Sequence, residues 1–299
     1  MYTFKHKILS VIVATVAAYF GFQSLDLVLS LYQIQTYFSM AWYVYAFHII
    51  WLSFIFDLHL KQGGHMALAR SSHQGAMVLW VALKSRAKHF YHWTYIRHYL
   101  NYLILPSVLF WSVIILMYLN PFFELFKDGL IIVTTAALSV TYWYFKEAIS
   151  HHMELHKTGL KILSLVKVYA AYLTYSALIA LGWYFGLSLS ILIPIVFVIT
   201  FLLIYQNLFQ HRLMRVDLYP GILMFATLVS LVFVLIFQTW NVNYYTAGLF
   251  VAVVYTTCWS VIHKYFEREL SWKLFWEHTF MLIVLMSVIL ATHDFQGRI

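Results

Sequence analysis

The chain has 299 residues, of which 63% are hydrophobic and 10% charged, and its formal net charge is +8. Soluble domains carry about 25% charged residues, and a mean hydropathy of +0.78 leaves no room for a sizeable water-soluble domain or a soluble nucleic-acid-binding protein. One cysteine, Cys258, excludes an internal disulfide and the cysteine-rich zinc and iron–sulfur sites, which need several thiolates.

A spanning helix needs roughly 20 mostly apolar residues. Nine such runs follow one another, at 8–25, 38–56, 99–119, 129–146, 163–184, 187–208, 220–239, 244–262 and 275–292. Each must be helical, because backbone groups in lipid have to be bonded within their own segment. The first run, "LSVIVATVAAYFGF", follows Lys5 and Lys7 like a secretory signal, but no polar mature segment comes after it. It reads as an uncleaved first span. Its small residues, Ala14 with Ala18 and Ala17 with Gly21, let another helix approach closely.

The longest stretch outside the runs is 57–98. Its apolar piece "GAMVLWVAL" is too short to cross, and "KSRAKHFYHWTYIRHY" interleaves cations with aromatic rings. No acidic residue occurs from Lys61 to Leu119. An amphipathic segment lying in the inner interface is expected, with Lys84, Arg86, Lys88, Trp93 and Arg97 against anionic lipid or an anionic partner. The 23 Tyr and 11 Trp suit the headgroup zone on both sides.

Lys and Arg test the span count. With the N-terminus inside, 17 of 19 fall on the inner side, Lys167 among them; only Lys127 and Arg298 fall outside. The expected fold is therefore all-α: one polytopic domain over 1–299, about nine transmembrane helices, N-terminus inside and C-terminus outside, in a plasma or inner membrane. Helical hairpins at 129–184, 187–239 and 244–292 are candidate repeats. "HRLMRVDLYPGILMF" (211–225) and "HKYFERELSWKLFWE" (263–277) align without gaps, each with an acid six positions after its histidine.

Histidine is the residue most out of proportion: 13 of 15 lie on the expected inner side. Three readings stay open. In the first, "SHHMELHK" (150–157) binds zinc or iron. On a helix His152 and His156 point the same way at i and i+4, while Glu147, His151 and Glu154 share a neighbouring strip. His89, His92, His211 and His263 are further candidate ligands, although no H-E-x-x-H motif is present. In the second, His48, the one ionisable side chain at mid-membrane depth, is a ligand to haem or another cofactor, a polar switch or a packing residue. In the third, His151, His152, His211 and His263 simply end helices that run inward, where cations are favoured. The sequence requires no cofactor.

No Asp, Glu, Lys or Arg lies at the centre of a run, which argues against ion-coupled transport. The reading that needs least is a structural or accessory, lipid-interacting membrane subunit, with anionic lipids, a membrane protein or a second copy as partner and no role for nucleic acid. A membrane-embedded enzyme with a histidine-held metal and a lipid-like substrate is the alternative. An uncoupled small-molecule permease or a sensor module comes third.

Overall fold

The computed structural model describes residues 4–31, 34–55, 93–119, 124–150, 157–211, 219–240, 243–266, 269 and 271–292. They form nine helices: α1 Phe4–Leu31, α2 Ile34–Ile55, α3 Trp93–Leu119, α4 Glu124–Ser150, α5 Lys157–Phe185, α6 Leu189–Gln210, α7 Tyr219–Thr239, α8 Tyr244–Phe266 and α9 Trp272–Thr292. No strand occurs among the described residues. Seven helices, α1 and α3 to α8, are long and apolar enough to cross a membrane. The chain is an all-α, multi-pass integral membrane protein, as its apolar runs require. The expected interfacial segment at 57–98 lies outside the described residues up to position 92.

Successive helices run antiparallel, and side chains tie their ends together. At the end where α1 starts, here the near end, Lys7 donates to Glu147 of α4 at 3.1 Å and lies 3.8 Å from the centre of the Trp143 ring. At the far end, Lys127 pairs with Asp26 at 3.8 Å, and Tyr118 stacks on Phe185. Gly186, with φ of 61°, ends α5 in the left-handed conformation that lacks a Cβ penalty only for glycine.

α3 and α5 are the central helices. Two thirds (67%) of the apolar window of each is buried, against 28% for α1 and 33% for α6 and α7. Lipid tails are as apolar as leucine, so burial alone does not drive these helices together; close packing and hydrogen bonds between helices do. Ser112 of α3 bonds Thr174 of α5 at 2.8 Å, Tyr37 of α2 donates to the Ile114 carbonyl at 2.9 Å, and Thr134 of α4 bonds Tyr169 of α5 at 3.0 Å. Ala14 and Ala18 are buried, and a Cβ on Gly21 would come within 3.2 Å of Val44. The small-residue stripe of α1 thus does admit neighbours.

The tightest approach joins α5 and α8 at Gly248. A Cβ there would stand 2.6 Å from the Ser176 backbone nitrogen and 2.7 Å from its Cα. Backbone cannot swing aside as a side-chain tip can. Gly248→Ala is expected to destabilise the bundle by about 1–3 kcal/mol, the usual range for overpacking. Gly221 of α7 has nothing within 4 Å of its would-be Cβ, so Gly221→Ala should be neutral or stabilising by up to about 1 kcal/mol. Thermal unfolding of the detergent-purified variants reads both; equal midpoints for the two would contradict this packing.

Candidate functional site

α5 carries an apolar stripe at helical spacing, Leu163, Ala170 and Ala171, and all of these are buried. Lys167 lies in the same stripe and is 1% exposed. It stands ten residues into α5, about 15 Å along the axis. The basic side chain that charge counting assigned to the inner boundary is therefore inside the bundle. The reason is that α5 starts at Lys157, six residues before the apolar run, and packs against neighbours over that first part too.

The Lys167 ammonium donates to Asn207 Oδ1 and to Gln210 Oε1 of α6, each at 2.6 Å. Asn207 and Gln210 are three apart, so both amides face α5. Asn207 Nδ2 then donates to the Tyr255 hydroxyl of α8 at 3.3 Å, and the Tyr255 ring meets Tyr175 edge-on. Tyr175 bonds Thr200 of α6 at 2.8 Å. Among the described residues no carboxylate pairs with Lys167. On the neighbouring strip of α6, Gln206 Nε2 donates to the Asn101 backbone carbonyl of α3 at 2.6 Å. The side-chain oxygen of Gln206 and both polar atoms of the Asn101 amide are buried with no hydrogen-bond partner among the described residues. An unfilled buried amide is costly, by about 1–3 kcal/mol for each orphaned group, and it marks a place where something polar can bind.

At the near end of this polar seam, His211 closes α6 and His263 lies in the last turn of α8. Both occupy helix C-termini, as the helix-end reading expects. The structure also brings them together: His263 Nε2 and His211 Nδ1 are 3.0 Å apart, and Trp259 lies beside both rings. Burial, then His263, then Lys167 push His211 down to about 3, so this imidazole is neutral near pH 7. One ring donates and the other accepts, with the roles set by the tautomers.

The other sequence candidates are placed as follows. His48 is buried in α2, and its Nε2 bonds the Tyr142 hydroxyl of α4 at 2.7 Å. Glu147 is engaged by Lys7. His89, His92, His151, His152 and His156, with Lys84, Arg86 and Lys88, lie outside the described residues. Trp93 and Arg97 fall in the first turns of α3, where the backbone alone is described. No group of three or more His, Cys, Asp or Glu gathers among the described residues.

Compared with known proteins, the chain matches no family model, no curated protein and no solved structure. The residues that sequence reasoning passed over were Lys167, Asn101, Asn207 and Gln210. Their signal was present in "YQNLFQ", three amides within five residues of an apolar run, and in a lysine four residues inside another. Asn207→Ala leaves the buried amine with one partner, and is expected to cost about 1.5–3 kcal/mol of stability. Lys167→Met combined with Asn207→Leu removes both sides of that bond and should recover most of the loss. Unfolding of the single and double variants checks this; additive losses would contradict the coupling.

Proposed function

We propose that the protein is a membrane-embedded binding protein of the uncoupled permease type, which takes a small anion into the bundle at Lys167. The observation that carries this reading is a buried ammonium whose only partners among the described residues are two neutral amides. Two carbonyl oxygens replace part of the lost hydration, and a protonated Lys167 would still lack a counter-charge among the described residues. An anion about 4 Å away gains about 4 kcal/mol at an effective dielectric constant of 20. Lys167 has a third N–H to offer it, and the unfilled amide of Asn101 belongs to α3, which packs directly on α5 and α6. An ionisable group inside a membrane protein is a functional position by default, since leucine or methionine would fill the space without cost.

The near end is proposed to face the cytoplasm, a reading supported by the one-sided distribution of Lys and Arg. On that side the basic 57–98 stretch would rest on anionic lipid. A structural or accessory subunit is the reading that takes over if Lys167 meets no anion.

Thermal unfolding tests the proposal, in chloride, phosphate or acetate at equal ionic strength set with a bulky organic anion. A ligand at 100 times its Kd stabilises by about 2.7 kcal/mol. At least one of the three is expected to raise the midpoint of the wild type and of Lys167→Arg, and to leave Lys167→Met unmoved. Equal responses from all three proteins, or none from the wild type, would overturn the proposal.

A further inference from the structure

A second feature, separate from Lys167, lies between α1 and α2. Ala17, Ala18, Gly21 and Val44 leave a cleft of about 450 Å³ there, within the usual size range of small-molecule sites. The small residues of α1 create the space, since larger side chains on the same stripe would fill it. Its rim is aromatic and faces the lipid: Phe20 is 65%, Tyr43 72% and Phe47 61% exposed. Its floor is Phe110, Ala18 and His48, all buried.

His48 is the one imidazole on this surface. Tyr142 takes its Nε2, and Nδ1 makes no hydrogen bond among the described residues. The ring is locked in place by that bond and by near-parallel packing on Phe110. The other polar side chains on the cleft are Tyr43, at the exposed rim, and Ser24, whose hydroxyl donates to the Gly21 carbonyl. The cleft thus offers aromatic walls, entry from the side and a single unfilled hydrogen-bonding atom at its base. A phospholipid does not suit it, because a charged headgroup belongs at the interface and not beside a buried imidazole. A bare acyl chain leaves Nδ1 unmet. A flat neutral ring with one hydrogen-bonding oxygen and an apolar tail satisfies all three features.

We propose that the cleft between α1 and α2 binds a lipid-soluble quinone or quinol, whose ring lies among Phe20, Tyr43, Phe47 and Phe110 and whose oxygen bonds His48 Nδ1. With a quinone, Nδ1 carries the proton and Tyr142 donates to Nε2. With a quinol, the ligand hydroxyl donates to Nδ1 and Nε2–H donates to Tyr142. The imidazole serves either form without gaining charge.

The test uses the full chain in detergent, with decylubiquinone as titrant and an azido-quinone of the same tail as photolabel. Labelling is expected within residues 17–24 and 43–48. His48→Phe should weaken binding at least tenfold. Ala17→Phe fills the cleft from a half-buried position and touches none of the hydrogen bonds, so it should abolish labelling even where His48→Phe folds poorly. Binding of decylubiquinone that is unchanged in Ala17→Phe, or labelling confined to other helices, would overturn the proposal. So would equal competition by oleate, which shares the tail and lacks the ring.

Discussion

An amine buried in a membrane protein must find from its neighbours the solvation it gave up in water, and at Lys167 two amide oxygens 2.6 Å away supply it. Idealised transfer of such a charge to a low-dielectric interior costs on the order of 20 kcal/mol, and several kcal/mol remain after relaxation. Charge-assisted hydrogen bonds contribute about 1.5–3 kcal/mol each. The arrangement of α5, α6 and α8 around that point follows. Asn207 and Gln210 must face α5, Tyr255 is drawn to the far side of Asn207, and His211 and His263 close the same seam. A buried amine held by two amides, with no carboxylate beside it among the described residues, is the feature on which the proposed anion site rests.

Elsewhere the bundle is held by neutral hydrogen bonds and by backbone proximity. Each cross-helix hydroxyl bond is worth about 0.6 kcal/mol on average in a membrane, so no single one dominates. Ser112 with Thr174, Tyr37 with Ile114, Thr134 with Tyr169 and His48 with Tyr142 link α2, α3, α4 and α5 pairwise. The Gly248 contact brings α8 onto α5 closely enough for Tyr255 to reach Asn207. On the other flank, α1 is mostly turned to lipid, and its small residues leave a cleft beside α2 instead of a sealed seam. The central helices are therefore joined closely around Lys167, while the α1–α2 edge carries a cleft.

The helices themselves could be read from the chain because hydrocarbon permits so few backbone arrangements. All nine apolar runs coincide with helices, and Gly21 and Ala18 meet neighbours as small residues should. Helix ends at His211 and His263 were legible for the same reason. Depth was not. A lysine near the edge of an apolar run has the same hydropathy whether it reaches out to water or turns inward to an amide, and only the partner helix decides. Asn101 and its partner Gln206 lie 105 positions apart, so no local pattern could join them. His48 stood out as a lone ionisable residue, yet its partner Tyr142 is one of 23 tyrosines with nothing to distinguish it in sequence.

The polar seam depends on the depth of one amine. Amine-reactive acylation of the folded protein in lipid nanodiscs, read by mass spectrometry, tests it directly. Lys161, exposed near the start of α5, and Lys264, at the end of α8, serve as internal references. Lys167 should stay unmodified while both references react, and should become reactive once the protein is unfolded. Modification of Lys167 at the rate of Lys161 in the folded protein would contradict the buried site and everything built on it.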